Sequence, residues 1–170
     1  MLLFYPWKVL NIRKFVKWVS DVDCLFSIYY LYPMASETLY DPIRKKDVPA
    51  TPEEQVRQAT VRYLLEQVKV PEHLIAVEFA LSAIDPRNVD RVDILVHNFR
   101  GGASIDKPWL LVECKAPGEY KWPVLQQQLN KYLQVLTPNY VMLSLGDAVR
   151  YFKLDPATKK FEKIDDLPRY

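Results

Sequence analysis

The sequence predicts an α/β domain, a mixed β-sheet flanked by helices, and three observations predict it. Short apolar runs of strand length recur after residue 70, separated by Pro, Gly, Asn and Asp. Two longer stretches, 51–68 and 123–136, carry helical spacing and proline stops. The resulting order is helix, three strands, helix, two strands, which requires the fourth strand to be reached through a crossover helix.

The elements follow in order. Asp41-Pro42-Ile43-Arg44-Lys45-Lys46 is a turn followed by a basic run. Thr51-Pro52-Glu53-Glu54 is a helix start, with Thr51 as N-cap, Pro52 at the first helical position and Glu54 at the capping-box position. This helix is expected to reach about Val68 and to be stopped by Pro71, with Val56, Tyr63 and Leu64 on its apolar side. Residues 74–81 read as a strand, 84–89 as a turn around Asp85-Pro86, and 90–99 as a second strand. Arg100-Gly101-Gly102-Ala103-Ser104 is a hairpin-type connection to a third strand, 109–116, broken by Pro117-Gly118. The second helix, 123–136, stops before Pro138. Strands follow at 140–145 and 149–154, joined by a turn at Gly146-Asp147, with a short edge strand at 161–164.

A chain of 170 residues fits one domain with a substantial core. Its 49% hydrophobic and 26% charged residues are ordinary for a globular protein. A net charge of +2 decides nothing about nucleic acid, because a local patch matters more than the sum. Cys24 and Cys114 form no CxxC pattern, which suits reduced thiols in a cytoplasmic protein, and with only His73 and His97 beside them a zinc site is not expected. Residues 1–33 are aromatic-rich, but Lys8, Arg13, Lys14, Lys17, Asp21 and Asp23 keep any run below the roughly 20 apolar residues of a membrane span. The apolar stretch 24–33 is too short and too late for a signal peptide. No membrane partner is expected. Residues 1–40 are read as an N-terminal extension and 41–170 as the domain. Either Met34 is the true start, or a short helix over 9–19 packs on the domain.

The chemistry concentrates on two apolar strands. Asp93 interrupts Arg91-Val92-Asp93-Ile94-Leu95-Val96, and Trp109-Leu110-Leu111-Val112-Glu113-Cys114-Lys115 ends in acid, spacer, base. Burying a carboxylate in such a run costs several kcal/mol unless it is paired or binds a cation. On a strand, residues i and i+2 share a face, so Glu113 and Lys115 project together and Cys114 points away. If the strands pair, Asp93 joins them. Two carboxylates and an ammonium suit a divalent metal and a water or phosphoryl oxygen. The alternative is a structural salt bridge on a sheet face. Asp90 reads as a turn residue leading into its strand.

Gln128 and Tyr132 lie four apart on the second helix and share a face. They suit a water or a backbone phosphate; alternatively Tyr132 packs on the sheet and Gln128 is solvated. The helical wheel places Glu53 with Val56, Thr60 and Leu64 toward the sheet, as a candidate third carboxylate, and Glu54 toward the edge. Both acids also suit the helix dipole. Lys121 and Trp122, with Arg44, Lys45 and Lys46, suit a phosphate backbone and a stacked base, although exposed charge runs are commonly solvated faces. Cys114 faces away, so a thiol nucleophile is not expected, and no His lies in a triad pattern.

Asp93, Glu113-x-Lys115 and the helical Gln128-x-x-x-Tyr132 resemble the PD-(D/E)XK nuclease superfamily. More narrowly, the chain resembles the N-terminal nuclease domain of type I restriction enzyme R subunits. The stretches that carry this are 41–46, 51–58, 91–94, Glu113-Cys114-Lys115-Ala116-Pro117, 128–132 and Asp166-Leu167-Pro168, within 41–170. Val92 stands where the superfamily's name places proline. The resemblance implies a restriction-endonuclease-like fold acting on DNA. It implies Mg²⁺, or Mn²⁺ in its place, held by Asp93 and Glu113, and a water positioned by Lys115. It also implies Gln128 and Tyr132 supporting the site and the DNA, with Glu53 matching the family's early helical acid. No Gly-rich phosphate loop occurs, so a separate restriction or translocase subunit is an expected partner. Nucleases of this type commonly cut as homodimers.

The expected function is metal-dependent hydrolysis of DNA phosphodiesters. The alternative is a DNA- or partner-binding module that keeps the fold without turnover; RNA as substrate is a third reading. Carboxylates of Asp93 and Glu113 opening into a cleft favour the enzyme. An Asp93 paired to Arg91 or Arg57 and sealed in favours the module.

Overall fold

The computed structural model describes residues 38–98 and 103–170. The expected helix over 9–19, and Arg100-Gly101-Gly102 of the expected hairpin connection, lie outside the described residues.

The chain first forms an antiparallel hairpin of Thr38–Asp41 (β1) and Lys46–Pro49 (β2). Its turn is built by Asp41, whose Oδ1 accepts the backbone N–H groups of Ile43 at 2.8 Å and Arg44 at 2.9 Å. The sequence reading found this turn and missed its strands. Each strand has only four residues, and Asp, Lys and Pro break any apolar alternation.

A six-stranded mixed sheet follows: Ile75–Ala80 (β3), Arg91–Val96 (β4), Leu110–Cys114 (β5), Tyr140–Ser144 (β6), Val149–Leu154 (β7) and Phe161–Ile164 (β8), neighbours in that order. Only β5 and β6 run parallel; the other neighbours are antiparallel. The parallel pair needs a crossover, and Trp122–Tyr132 (α2) supplies it.

Pro52–Tyr63 (α1) starts as the sequence dictates: the Thr51 hydroxyl accepts the Glu54 N–H at 3.2 Å, and Pro52 opens the helix. It changes character at Leu64, where a wider π-helical turn, Leu64–Val68, ends at Lys69 with φ of 65°. The stop is therefore this left-handed residue and not Pro71. The second helix begins one residue early, at Trp122, and ends four residues before 136. Beyond Tyr132 the bonding tightens into turns, with Val135 N–H donating to Tyr132 O at 3.1 Å and Leu136 N–H to the same oxygen at 2.9 Å.

The two helices cover opposite faces of the sheet. On one face α1 buries Val56, Thr60 and Val61, with Leu64 just beyond it, against β4, β5 and β6; Thr60 Oγ1 and Ser144 Oγ share a 2.8 Å hydrogen bond. On the other, Leu125 and Tyr132 of α2 join Leu81, Val92, Leu95, Leu111, Val141 and Leu143 in the main apolar cluster. Ser144 and Leu143 are consecutive, so strand alternation assigns them to opposite faces. Glu113, cross-strand from Leu143, lies on the α2 face.

Gly146 closes the β6–β7 turn with φ of 80°, and a Cβ there would lie 2.5 Å from Pro117 Cγ. Gly118 also has a positive φ, 72°, but nothing within 4 Å of such a Cβ. Gly146→Ala is expected to destabilise the fold by more than about 1 kcal/mol, through strain and collision together, and to exceed Gly118→Ala. Urea unfolding of the two variants side by side checks this ordering.

Candidate active site

The site forms where the β3–β4 ladder is distorted at a single residue and the β4–β5 ladder ends. Val77 pairs with Ile94 and Phe79 with Val92, while Glu78 between them takes a φ of 52°. The β4–β5 ladder likewise starts only at Ile94 and Val112. At the open end, the Asp93 carboxylate takes the place of a backbone acceptor: its Oδ2 receives the Cys114 N–H at 2.7 Å. Asp93 is thereby fixed to the tip of β5, next to Glu113. Lys115, one residue past the strand, stays in line because its N–H donates to Ser144 O at 2.9 Å.

Glu113 is fully buried, and Lys115 Nζ donates to its Oε1 at 2.5 Å. Its Oε2 is buried without a hydrogen-bond partner among the described residues. Burial, and then the charge of Asp93, push the Glu113 carboxyl up to about 7, against the opposing pull of Lys115. Burial alone would lower Lys115; the adjacent Glu113 charge and its hydrogen bond outweigh that and hold the ammonium above its ordinary value. Tyr132 is buried, and its hydroxyl accepts from Gln128 Nε2 at 2.6 Å. Burial and the Glu113 charge raise the Tyr132 phenol. Gln128 and Tyr132 thus bond each other beside Glu113, rather than acting as separate surface groups.

Asp93 has a second partner. Arg57 Nη2 donates to Asp93 Oδ1 at 2.7 Å, and the Asp93 side chain is only 12% exposed. Arg57 also binds Glu54 through Nη1 and reaches Glu53 Oε1 at 3.4 Å. Burial opposes the Arg57 charge, but Asp93 and Glu54 outweigh burial and hold the guanidinium firmly protonated. Glu53 sits at the rim, 42% exposed, with Oε2 3.8 Å from Lys115 Nζ. The helical wheel's placement of Glu53 against the sheet is therefore corrected to an edge position that still meets the cluster.

Glu54 is a clearer correction. It is buried rather than at the edge, and it does not reach back to cap the helix. Its Oε1 accepts from Arg44 Nη2 at 2.6 Å and from Gln58 Nε2 at 2.8 Å, and its Oε2 from Arg57. Arg44 in turn binds Asp41 and reaches Glu78 Oε2 at 2.5 Å. The first residue of the expected basic run is thus an internal tie, whereas Lys45 is exposed, 3.7 Å from Glu72. Cys114 is buried on the α1 side, with its thiol pushed up by burial and by the Asp93 charge. Lys121 and Trp122 are exposed at the start of α2, apart from the buried acids.

Sequence reasoning weighed Arg57 only as a partner that would seal Asp93. Its signal was the spacing: four residues after Glu53 and three after Glu54, on the same helical face. Arg150, which lies over the Trp122 ring at 4.3 Å, was missed, because nothing local to β7 marks it.

The fold and the site define a mixed-sheet α/β domain with two acids and a lysine gathered at the splayed end of its central strands. The family model described as Type I restriction enzyme R protein N terminus (HSDR_N) matches residues 52–168. The chain belongs to that family. Neither a curated protein nor a solved structure matched the chain. No helix among the described residues is long and apolar enough to cross a membrane.

The shift at Glu113 has a definite sign for stability. Its folded-state value, about 7, lies above the ordinary 4.5, so between those values the folded state holds a proton that the unfolded chain has lost. This residue's contribution to stability is therefore present below pH 4.5 and lost as pH rises through 7. In EDTA, Glu113→Gln is expected to lack that loss, so that its stability relative to wild type shifts in the variant's favour by up to about 3 kcal/mol between pH 4.5 and pH 8, whatever the constant cost of the lost Lys115 pair. Urea unfolding of both proteins at the two pH values tests it.

Proposed function

We propose that this domain is a Mg²⁺-dependent endonuclease, with Mn²⁺ able to substitute, that hydrolyses phosphodiester bonds in DNA. The observation that carries the reading is the buried Glu113 Oε2, without a hydrogen-bond partner among the described residues while Lys115 binds the other oxygen and the Asp93 charge acts on the same carboxyl. A divalent cation there would offset both the burial of Glu113 and its repulsion from Asp93, and carboxylate oxygens are the hard donors Mg²⁺ takes. Asp93 and Glu113 would hold it, with water and phosphate oxygens completing the shell. Among the described residues no three His, Cys, Asp or Glu side chains are gathered as a ligand cluster, so the reading needs water and phosphate oxygens to supply most of the shell.

When bound, the cation would polarise the attacking water and neutralise phosphate charge. The remaining work falls to the chain. Lys115, kept protonated by Glu113, orients the water and stabilises the charge that develops on the phosphoryl oxygens. Tyr132, buried and bonded to Gln128, buttresses Glu113 from within the core rather than touching DNA, and only the half-buried Gln128 could approach the strand being cut. Glu53, at the rim with Oε2 3.8 Å from Lys115 Nζ, would accept a proton or hold a water. Lys121 contacts the phosphate backbone. DNA is the partner this reading requires. Family membership favours a separate restriction or translocase subunit as a further one, a homodimer would allow cutting of both strands, and the cytoplasm is the setting.

A second reading rests on Arg57. Its bond to Asp93 supplies in the metal-free state the charge that a cation would otherwise bring, and so favours a binding module without turnover. Plasmid cleavage separates the two. The purified protein is expected to nick or linearise supercoiled plasmid in Mg²⁺ or Mn²⁺ and not in EDTA, with Asp93→Ala and Lys115→Ala each reducing the rate by at least about 10²-fold. No cleavage, with wild type and both variants binding DNA equally, would sink the nuclease and leave the module.

A further inference from the structure

The exposed aromatic at the start of α2 is placed for a second task. Arg150 lies over the Trp122 ring, 4.3 Å from its centroid, and Tyr120 stands perpendicular to it at 5.6 Å. These contacts fix the indole, yet Trp122 remains 42% exposed. Leaving a large apolar ring in water next to Lys121 is not explained by packing.

Sheet register relates this ring to the acids. Glu113 is cross-strand from Leu143, and Leu143 is cross-strand from Arg150. The three lie in one row on the α2 face, so Arg150 is two strand spacings, about 10 Å, from Glu113. One nucleic-acid strand can touch both.

We propose that Trp122, steadied by Arg150 and Tyr120, is a stacking platform for an unpaired DNA base next to the cleavage position, with Lys121 on the adjoining phosphate. The proposal rests on the nuclease reading only for its substrate's backbone. An indole stacks on any base that presents a free face, and bases inside an intact duplex do not. The platform therefore selects single-stranded, tailed or locally opened DNA over blunt duplex.

Binding measured in EDTA tests this without turnover. Fluorescence anisotropy is recorded with labelled oligothymidylate, a duplex carrying an unpaired tail, and a blunt duplex. Wild type is expected to bind the first two more tightly. Trp122→Ala is expected to weaken them by roughly 5- to 150-fold with blunt duplex unchanged, and Trp122→Phe to retain most of the affinity. Trp122→Leu, which keeps an apolar side chain without a ring to stack, is expected to behave like Trp122→Ala and guards against a folding defect in the smaller variant. The platform is overturned if Trp122→Ala and Trp122→Leu bind oligothymidylate as wild type does, if blunt duplex binding falls equally, or if oligouridylate binds more tightly than oligothymidylate. Plasmid nicking is read separately. A protein that never nicks but binds through Trp122 overturns the nuclease alone; one that nicks while the variants bind normally overturns the platform alone.

Discussion

A carboxylate with no access to water governs this end of the molecule. Glu113 lies in β5, under α2 and among apolar neighbours, where an unpaired charge costs several kcal/mol. Lys115 answers one oxygen and nothing among the described residues answers the other. Asp93, drawn in by the Cys114 N–H, makes the imbalance worse, and Arg57 of α1 partly corrects it. Arg57 is itself buried and needs Glu54; Glu54 needs Arg44; Arg44 needs Asp41 and Glu78. One ion-pair chain thus ties the β1–β2 hairpin, α1 and Glu78 of β3 to the end of β5. Deleting a single member would strand a buried charge, which is why such chains behave as a unit.

The sheet decides which groups meet. Consecutive strand residues face opposite ways, so β5 sends Glu113 toward α2 and Cys114 toward α1. A one-residue slip of β5 would exchange them and place a thiol where the acid stands. The parallel β5–β6 pair forces a crossover, and that crossover carries Gln128 and Tyr132 across the face holding Glu113. Topology alone therefore brings the second helix to the acids.

Much of this was legible in the sequence because it is local. Strand alternation predicts that Glu113 and Lys115 share a face; Thr51 and Pro52 mark the helix start; β7 and β8 fall at the residues their patterns indicate. What escaped is long-range. Glu54 has a complete local explanation as a capping acid, and only the return of the β1–β2 hairpin, which brings Arg44 onto it, cancels that role. The hairpin escaped because its strands are short and polar. The helical stretch ends at Val68 as its pattern indicates, but its π-helical last turn and its stop escaped, because Lys69 takes a left-handed conformation that its side chain does not advertise. Trp122 was visible as an exposed aromatic, but the arginine that gives it a partner lies far along the chain, on β7.

The charge count at the site bears on the choice between nuclease and silent module. The ion-pair chain joins six carboxylates, those of Asp41, Glu53, Glu54, Glu78, Asp93 and Glu113, through only three cations, Arg44, Arg57 and Lys115. Glu53 and Glu78 are more than 40% exposed and share their charge with solvent, whereas burial and the Asp93 charge raise the Glu113 carboxyl, which weakens the fold at neutral pH and serves no purely structural end. Arg44 alone faces Asp41, Glu54 and Glu78, while at the other end Glu113 keeps an oxygen without a hydrogen-bond partner among the described residues; Arg57 occupies Asp93 from the α1 side and Lys115 binds Glu113. Under the proposed nuclease reading, Arg57 would keep two adjacent acids folded together until a divalent cation took up the remaining charge. On that argument its bond to Asp93 and the nuclease reading are compatible.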